Sequence, residues 1–339
     1  MPEAASKTAW LFPGQGTQKV GMGLALYETS PAARDVFERA DRALGWSLSE
    51  LCFEGPEEKL TLTEHAQPAI VATSIAALSA LEELHGSLPN PDFAAGHSLG
   101  EYSALVAAGA LTLEEAVRLV HLRGAAMQRA VPPGAGGMAA IIGADDARVE
   151  ELCREAARDD VLAPANFNAP GQTVVAGHAA AIERVMALAA ESKLKAIPLR
   201  VSAPFHCSLM RPAARELAAA LRAVHPRELA FAVVSNVDAT PNRDASKVAD
   251  LLVRQMDAPV RFRQSISLMA DAGVVHAFEI GPGSVLSGLV KRIDKRIRVE
   301  SVSDPESLAA ARATTGALPC DAARQENPGR PTLPGSSPE

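Results

Sequence analysis

The spacing of apolar residues changes period several times along the chain, and each change marks an element. Ala9 to Phe12 is a short apolar run that predicts a strand. It enters Pro13-Gly14-Gln15-Gly16-Thr17-Gln18, a loop whose glycines leave backbone N–H groups open to close contact. Helical periods then dominate to about residue 85, after which Pro91 to His97 predicts a second strand that ends at a serine. Thr112-Leu113-Glu114-Glu115 opens a helix with a capping box, and Leu113, Ala116, Val117, Val120, Gly124 and Met127 recur on one face of it. At about 100° per residue, Arg118 and Arg129 fall opposite that stripe, whereas Arg123 sits on its edge.

Between Gly134 and Arg200 the rhythm differs. Met138–Ile142, Val161–Phe167, Thr173–Ala176 and Lys195–Leu199 predict strands, and Asp145–Arg158 and Ala179–Lys193 predict helices. The order β-α-β-β-α-β is that of a ferredoxin-like unit, here set into a larger α/β domain. Phe231–Asn236 and Val274–Ile280 read as further buried strands of that larger domain. The expected organisation is a discontinuous large domain, residues 1–132 and 201–312, an inserted small domain, residues 133–200, and a disordered tail, residues 313–339, too rich in Ala, Pro, Gly and Ser to build a core.

Composition narrows the function classes. With 339 residues and 47% hydrophobic content, the chain can build its core without a metal or disulfides. Cys52, Cys153, Cys207 and Cys320 are scattered without ligand spacing, so neither a disulfide framework nor a structural zinc site is expected, and a reducing cytoplasm is the natural setting. No basic segment followed by an apolar run opens the chain, and no apolar stretch of about 18 residues occurs, so secretion and membrane spanning are not expected. The net charge of −7 argues against nucleic acid. The one dense basic run, Lys291 to Arg298, has no aromatic interleaving and reads first as a solvated face, second as a docking patch for an acidic partner. The Pro13–Gln18 loop lacks both the G-K-[ST] and the G-x-G-x-x-G spacing of nucleotide loops.

The candidate chemistry centres on Gly96-His97-Ser98-Leu99-Gly100, a G-x-S-x-G pattern in a strand-turn-helix context, where the glycines allow a strained turn that lifts the serine out of the sheet. The bland reading is a capping box of Ser98 and Glu101. A serine hydroxyl needs an adjacent base. His97 should point away from its neighbour, and His276 lies in an apolar strand. His65, His85, His121, His178 and His225 have no convergent partners. His206 lies just past the small domain, in a segment that can return to the serine turn; Cys207 beside it reads as a small buried filler. Arg123 either snorkels to water or serves as a bidentate clamp for a substrate carboxylate.

Phe12–Gln18, Gly96–Ala104, Arg123, Asn166–Gln172, Ala203–His206, Val253–Gln255 and Gly281–Gly283 occur in the order found in malonyl-CoA:acyl-carrier-protein transacylases, a family this chain resembles over residues 7–312. The resemblance implies an α/β-hydrolase-like large domain with an inserted ferredoxin-like small one. It implies ping-pong transfer of malonyl from malonyl-CoA through an ester on Ser98 to the phosphopantetheine thiol of acyl-carrier protein, with His206 as the base. It further implies an oxyanion hole from the backbone N–H groups of Gln15 and Leu99, a carboxylate clamp at Arg123, a pocket lined by Asn168 and Phe205, and a histidine oriented by the main-chain carbonyl of Gln255. Asp257 is then a decoy for a conventional triad. No cofactor or metal is implied, and a monomer is expected. The nearest rival is a serine thioesterase or acyl hydrolase of the same fold, against which a guanidinium beside the reacting ester speaks; a non-catalytic scaffold is the rival from another class.

Overall fold

The computed structural model describes residues 6–86, 88–199 and 201–315. Ten strands form two sheets: β1 (Lys7–Phe12), β2 (Phe93–Gly96), β3 (Gly136–Ile142), β4 (Leu162–Ala169), β5 (Gln172–His178), β6 (Lys195–Pro198), β7 (Ala232–Val234), β8 (Pro241–Asn242), β9 (Val274–Ile280) and β10 (Arg298–Val302). The larger sheet has the order β10-β9-β1-β2-β7-β8 and is parallel except for the β7–β8 pair. The smaller, β4-β5-β3-β6, is wholly antiparallel, carries the helices Asp146–Ala157 and Ala179–Glu191, and has the ferredoxin-like order read from the sequence.

Strand β1 alternates as a two-sided buried strand must: Trp10 and Phe12 enter one hydrophobic cluster, Ala9 and Leu11 the other. The first cluster is built around the helix Thr63–His85, which is buried almost all round from Thr63 to Leu81. The second lies under the helices Phe262–Asp271 and Val285–Ile293. The carboxyl ends of β1 and β2, paired as far as Phe12 and Gly96, therefore lie side by side at the edge where an open parallel sheet binds its ligands.

The small sheet is tied to the large domain by backbone and side-chain bonds. Phe167 N donates to Val260 O at 2.9 Å and Val260 N to Ala165 O at 2.8 Å, so the segment before the helix Phe262–Asp271 pairs with β4. Arg263 pairs with Asp146, and Arg292 donates to the Gln172 side chain and the Pro170 carbonyl.

Two expectations change, and a third holds. The short strand β8 and the strand β10 were not anticipated, β10 because its polar, half-exposed residues carry no apolar run. The basic run is the solvated face of its first reading: Lys291, Arg292, Lys295, Arg296 and Arg298 are exposed, Arg296 binds Asp294 and Asp271, Arg298 binds Glu300, and Arg292 donates to Gln172. The helix Pro305–Thr315 crosses the boundary expected at 313; Leu308 and Ala311 anchor it in the core, and an Asp304–Ser307 hydrogen-bond pair starts it. The rest of the expected tail, 316–339, lies outside the described residues.

The turn between β2 and the helix Gly100–Ala107 is set by close backbone approach. A Cβ at Gly96 would lie 1.8 Å from the Gly100 carbonyl carbon, and one at Gly100 would lie 2.1 Å from Phe12 O. Backbone cannot yield as a side chain can, so Gly100→Ala should destabilise the protein by about 1–3 kcal/mol, the range for overpacking. Chemical denaturation reads this directly; an unchanged midpoint would mean that the turn has slack.

Candidate active site

Ser98 sits at the top of this turn with φ 51°, in the left-handed region that non-glycine residues avoid. Its amide donates to Asn236 Oδ1 at 2.6 Å, and Asn236 Nδ2 donates to Gly96 O at 2.7 Å, so one side chain at the end of β7 holds both sides of the strained turn. The Ser98 hydroxyl does not cap the helix: no side-chain cap bond is made there, and Oγ instead lies 2.7 Å from His206 Nε2 and 3.0 Å from Arg123 Nη2. Strain at a residue whose side chain meets two others is the pattern of a working nucleophile.

His206 also has a left-handed backbone, φ 60°, and is buried. Its Nδ1 lies 2.9 Å from the carbonyl of Gln255. A carbonyl only accepts, so Nδ1 carries the proton and Nε2 is left to accept from the serine. Burial, and then the positive charge of Arg123, push His206 down to about 3, so its imidazole is neutral and ready to accept a proton throughout the physiological range. Asp257 faces the other way, 3.3 Å from Arg211 Nε. The group that meets His206 Nδ1 is thus a main-chain carbonyl, while the aspartate two residues on pairs with Arg211 instead.

Arg123 is 1% exposed, which overturns the snorkelling alternative: its guanidinium is not in water. Nη1 donates to Gln67 Oε1 at 2.8 Å, and Nη2 donates to Gln255 Oε1 and Ser98 Oγ, both at 3.0 Å. The Tyr102 ring lies 5.6 Å from the guanidinium carbon. Among the described residues no carboxylate is within ion-pair distance, and Nε has no partner. A buried charge left in this state costs several kcal/mol unless an anion completes it.

Glu101 is also misread by the capping pattern. It is 3% exposed, and its Oε2 accepts from Asn236 N at 3.0 Å and from Gln255 Nε2 at 2.7 Å. Gln255 thus contributes its carbonyl to His206, its amide oxygen to Arg123, and its amide nitrogen to Glu101 and to Ser98 O. Its main chain was expected here; its side chain, with Gln67 and Asn236, was not. Gln67 and Gln255 are polar residues on otherwise apolar helix faces, the one signal that marks them in the sequence.

The remaining expected residues surround this centre. Gln15 lies in the loop after β1, its Nε2 donating to Thr63 Oγ1 at 3.2 Å, and Leu99 is the N-cap residue, where backbone N–H groups have no intrahelical partner. Asn168, expected to line the pocket, reaches the site through His97: its Oδ1 lies 2.8 Å from His97 Nε2. Phe205 is 9% exposed and packs in the large core cluster beside His206. The Cys207 thiol is pushed up to about 11 by burial and donates to the Pro204 carbonyl, so it is an inert filler. Among the described residues no three His, Cys, Asp or Glu side chains are grouped to hold a metal, and no helix is long and apolar enough to cross a membrane.

A nucleophilic serine on a strand-to-helix turn, with a neutral histidine as base and a buried cation beside it, defines a serine acyl-transfer enzyme of the α/β-hydrolase-like class. Residues 9–317 match the acyl transferase domain family, and the chain belongs to it. It is 48% identical over 305 residues to a malonyl CoA-acyl carrier protein transacylase of Bacillus subtilis, covering 89% of this chain and 95% of that one. An acyl carrier protein S-malonyltransferase from Vibrio cholerae superposes with a TM-score of 0.87 at 44% identity, covering 90% of this chain and 100% of that one. A third relative was solved as a type II PKS acyl-carrier protein in complex with its malonyl-transacylase. It matches at 42% identity and a TM-score of 0.88, over 91% of this chain and 100% of that one.

Because His206 is held neutral, its ring should keep the NMR shifts of a neutral imidazole from about pH 8 to about pH 6 in the free protein. A histidine with an ordinary value near 6.5 would be mostly charged at the lower end. Titration of His206 within that window would contradict the burial and charge assigned to it.

Proposed function

We infer that the chain transfers malonyl groups from malonyl-CoA to the phosphopantetheine thiol of acyl-carrier protein. The observation that carries this reading is Arg123, a buried guanidinium with no carboxylate at ion-pair distance, hydrogen-bonded to the nucleophile. It is a preformed site for the anionic end of a short acyl group. An apolar acyl chain would leave that charge buried and uncompensated, which disfavours a general esterase.

In the first half-reaction Ser98 Oγ attacks the thioester carbonyl while its proton passes to His206 Nε2. The resulting oxyanion is held by the backbone N–H groups of Gln15 and Leu99. The C–S bond then breaks, and His206 returns the proton to the departing CoA thiolate. In the second, the carrier's thiol gives its proton to His206 and attacks the malonyl ester. Ser98 departs and is reprotonated. The Gln255 carbonyl keeps His206 in the required tautomer. No cofactor takes part, since each half-reaction exchanges one acyl acceptor for another and moves only protons. Phe205, beside His206, bounds the pocket near the malonyl α-carbon and selects against a branched acyl group. The enzyme works as a cytoplasmic monomer and meets nucleic acid at no step. The carrier belongs to fatty-acid or polyketide synthesis.

Two experiments test this. Mixed with malonyl-CoA, the protein should gain the mass of one malonyl group on Ser98 by intact-mass spectrometry and peptide mapping; label on Cys207, or undiminished transfer by Ser98→Ala, would sink the assignment. Arg123→Ala should lower kcat/KM for malonyl-CoA by at least about one to two orders of magnitude, the worth of a charge-assisted contact, and should lower it little for acetyl-CoA. Arg118→Ala is the control, since Arg118 lies on the outer face of the same helix and bonds the Ala43 carbonyl. An equal loss for both thioesters would reduce Arg123 to a structural residue.

A further inference from the structure

Glu101 is a fully buried carboxyl that the acyl-transfer steps above do not use. Its contacts form a continuous line to the cation: Arg123 Nη2 donates to Gln255 Oε1 at 3.0 Å, and Gln255 Nε2 donates to Glu101 Oε2 at 2.7 Å. The amide of Gln255 is therefore oriented with its negative end on the guanidinium and its positive end on the carboxylate, the alignment that the field between two opposite charges favours. We propose that Glu101 is the counter-ion of Arg123, acting through the Gln255 amide, and that it sets how firmly the pocket holds a substrate carboxylate.

Three observations support this arrangement. Arg123 and Glu101 each stabilise the charged form of the other. The other acidic group acting on Glu101, Asp238, is drawn toward the surface by Arg254 at 3.6 Å, so it does not serve Arg123. The phenol of Tyr102 also lies near, but burial raises it far above neutrality and it carries no charge. A directly paired carboxylate would have to be displaced by each incoming substrate, and no counter-ion at all would leave the cation unsupported between turnovers. A carboxylate one amide away offsets part of the charge while leaving Arg123 Nε without a protein partner and the guanidinium free to take a substrate anion.

The arrangement has a proton linkage. Burial pushes Glu101 up to about 7, against the opposing pull of its hydrogen bonds from Gln255 and Asn236 and of Arg123. A substrate carboxylate arriving at Arg123 adds a negative charge nearby and raises Glu101 further, so the site takes up protons as it binds malonyl. It takes up none for acetyl. Above about pH 7 the ionised carboxyl competes for Arg123 and weakens malonyl binding; below it the competition is relieved.

This rests on the reading of Arg123 as the carboxylate clamp, and the test separates the two. In Ser98→Ala protein, which binds thioesters without reacting, calorimetry should show malonyl-CoA bound more tightly than acetyl-CoA; equal binding would overturn the clamp itself. Adding Glu101→Gln keeps an acceptor oxygen for both Asn236 and Gln255 but removes the charge. It should tighten malonyl-CoA roughly threefold to tenfold at about pH 8, leave acetyl-CoA no tighter, and lose its effect by about pH 6. Malonyl affinity that is unchanged or weakened at pH 8 would overturn the counter-ion role and leave Glu101 as packing. A second measurement needs no substitution at position 101. Near pH 7, binding heats in buffers of different ionisation enthalpy should show more proton uptake with malonyl-CoA than with acetyl-CoA. Equal uptake would likewise overturn the proposal.

Discussion

A guanidinium has been taken out of water beneath the nucleophile without a carboxylate in contact with it, and much of the surrounding packing follows from that constraint. Arg123 can be buried only if neutral oxygens face its N–H groups, and Gln67, Gln255 and Ser98 supply them. Gln67 reaches it because the helices Thr63–His85 and Leu113–Arg129 pack unusually close: a Cβ on Gly124 would lie 2.6 Å from the Thr63 carbonyl oxygen. The glycine on the apolar stripe is therefore a spacing device, and the arginine preceding it is carried inward with the seam. The same charge adds to the burial that holds His206 neutral, and the guanidinium donates to Ser98 Oγ. One residue thus touches Ser98, acts on His206 and shapes the polar floor beneath both.

Most of the fold was legible because strong periods carried it. The strands from Met138 onward, the two helices between them and the buried strands β7 and β9 all have apolar runs or faces. β10 escaped because an edge strand half open to solvent alternates weakly. At the site, the motif located Ser98 and the position of the return loop located His206, but Glu101 was misassigned. A serine followed three residues later by a glutamate is chemically ambiguous: only the tertiary positions of Asn236 and Gln255 decide whether the carboxyl turns back to the helix end or inward. Arg123 shows the same limit. Its place at the stripe edge is a statement about angle, and angle alone does not say whether the neighbouring helix covers it.

Polar residues that hold other polar residues are the least visible class in a single sequence. Asn236 is one side chain that bonds both the Ser98 amide and the Gly96 carbonyl, and Gln255 touches four groups of the site, yet neither belongs to a catalytic pattern by residue type. Their effect is to fix rotamers. A residue held with a left-handed backbone persists where its surroundings over-determine it, and Asn236 binds both the Ser98 amide and the carbonyl two residues before it.

The segment from Gln255 to Phe262 shows how the two sheets meet in this chemistry. At one end it presents the carbonyl that orients His206; five residues on, Val260 exchanges two backbone bonds with β4 of the small sheet. At its other end the Phe262 ring lies 5.5 Å from the ring of His97, whose Nε2 meets Asn168 of that same strand. The small sheet therefore touches the Ser98 turn through Asn168 and His97, and it pairs through Val260 with the segment whose first carbonyl meets His206. Side-chain contacts alone would let such a unit rock on a hinge of packed surfaces. Backbone hydrogen bonds, buried and directional, give the seam a register. A displacement of β4 would move the His97 contact and the segment that begins with the Gln255 carbonyl together, so the position of the small sheet is coupled to the geometry of Ser98 and His206.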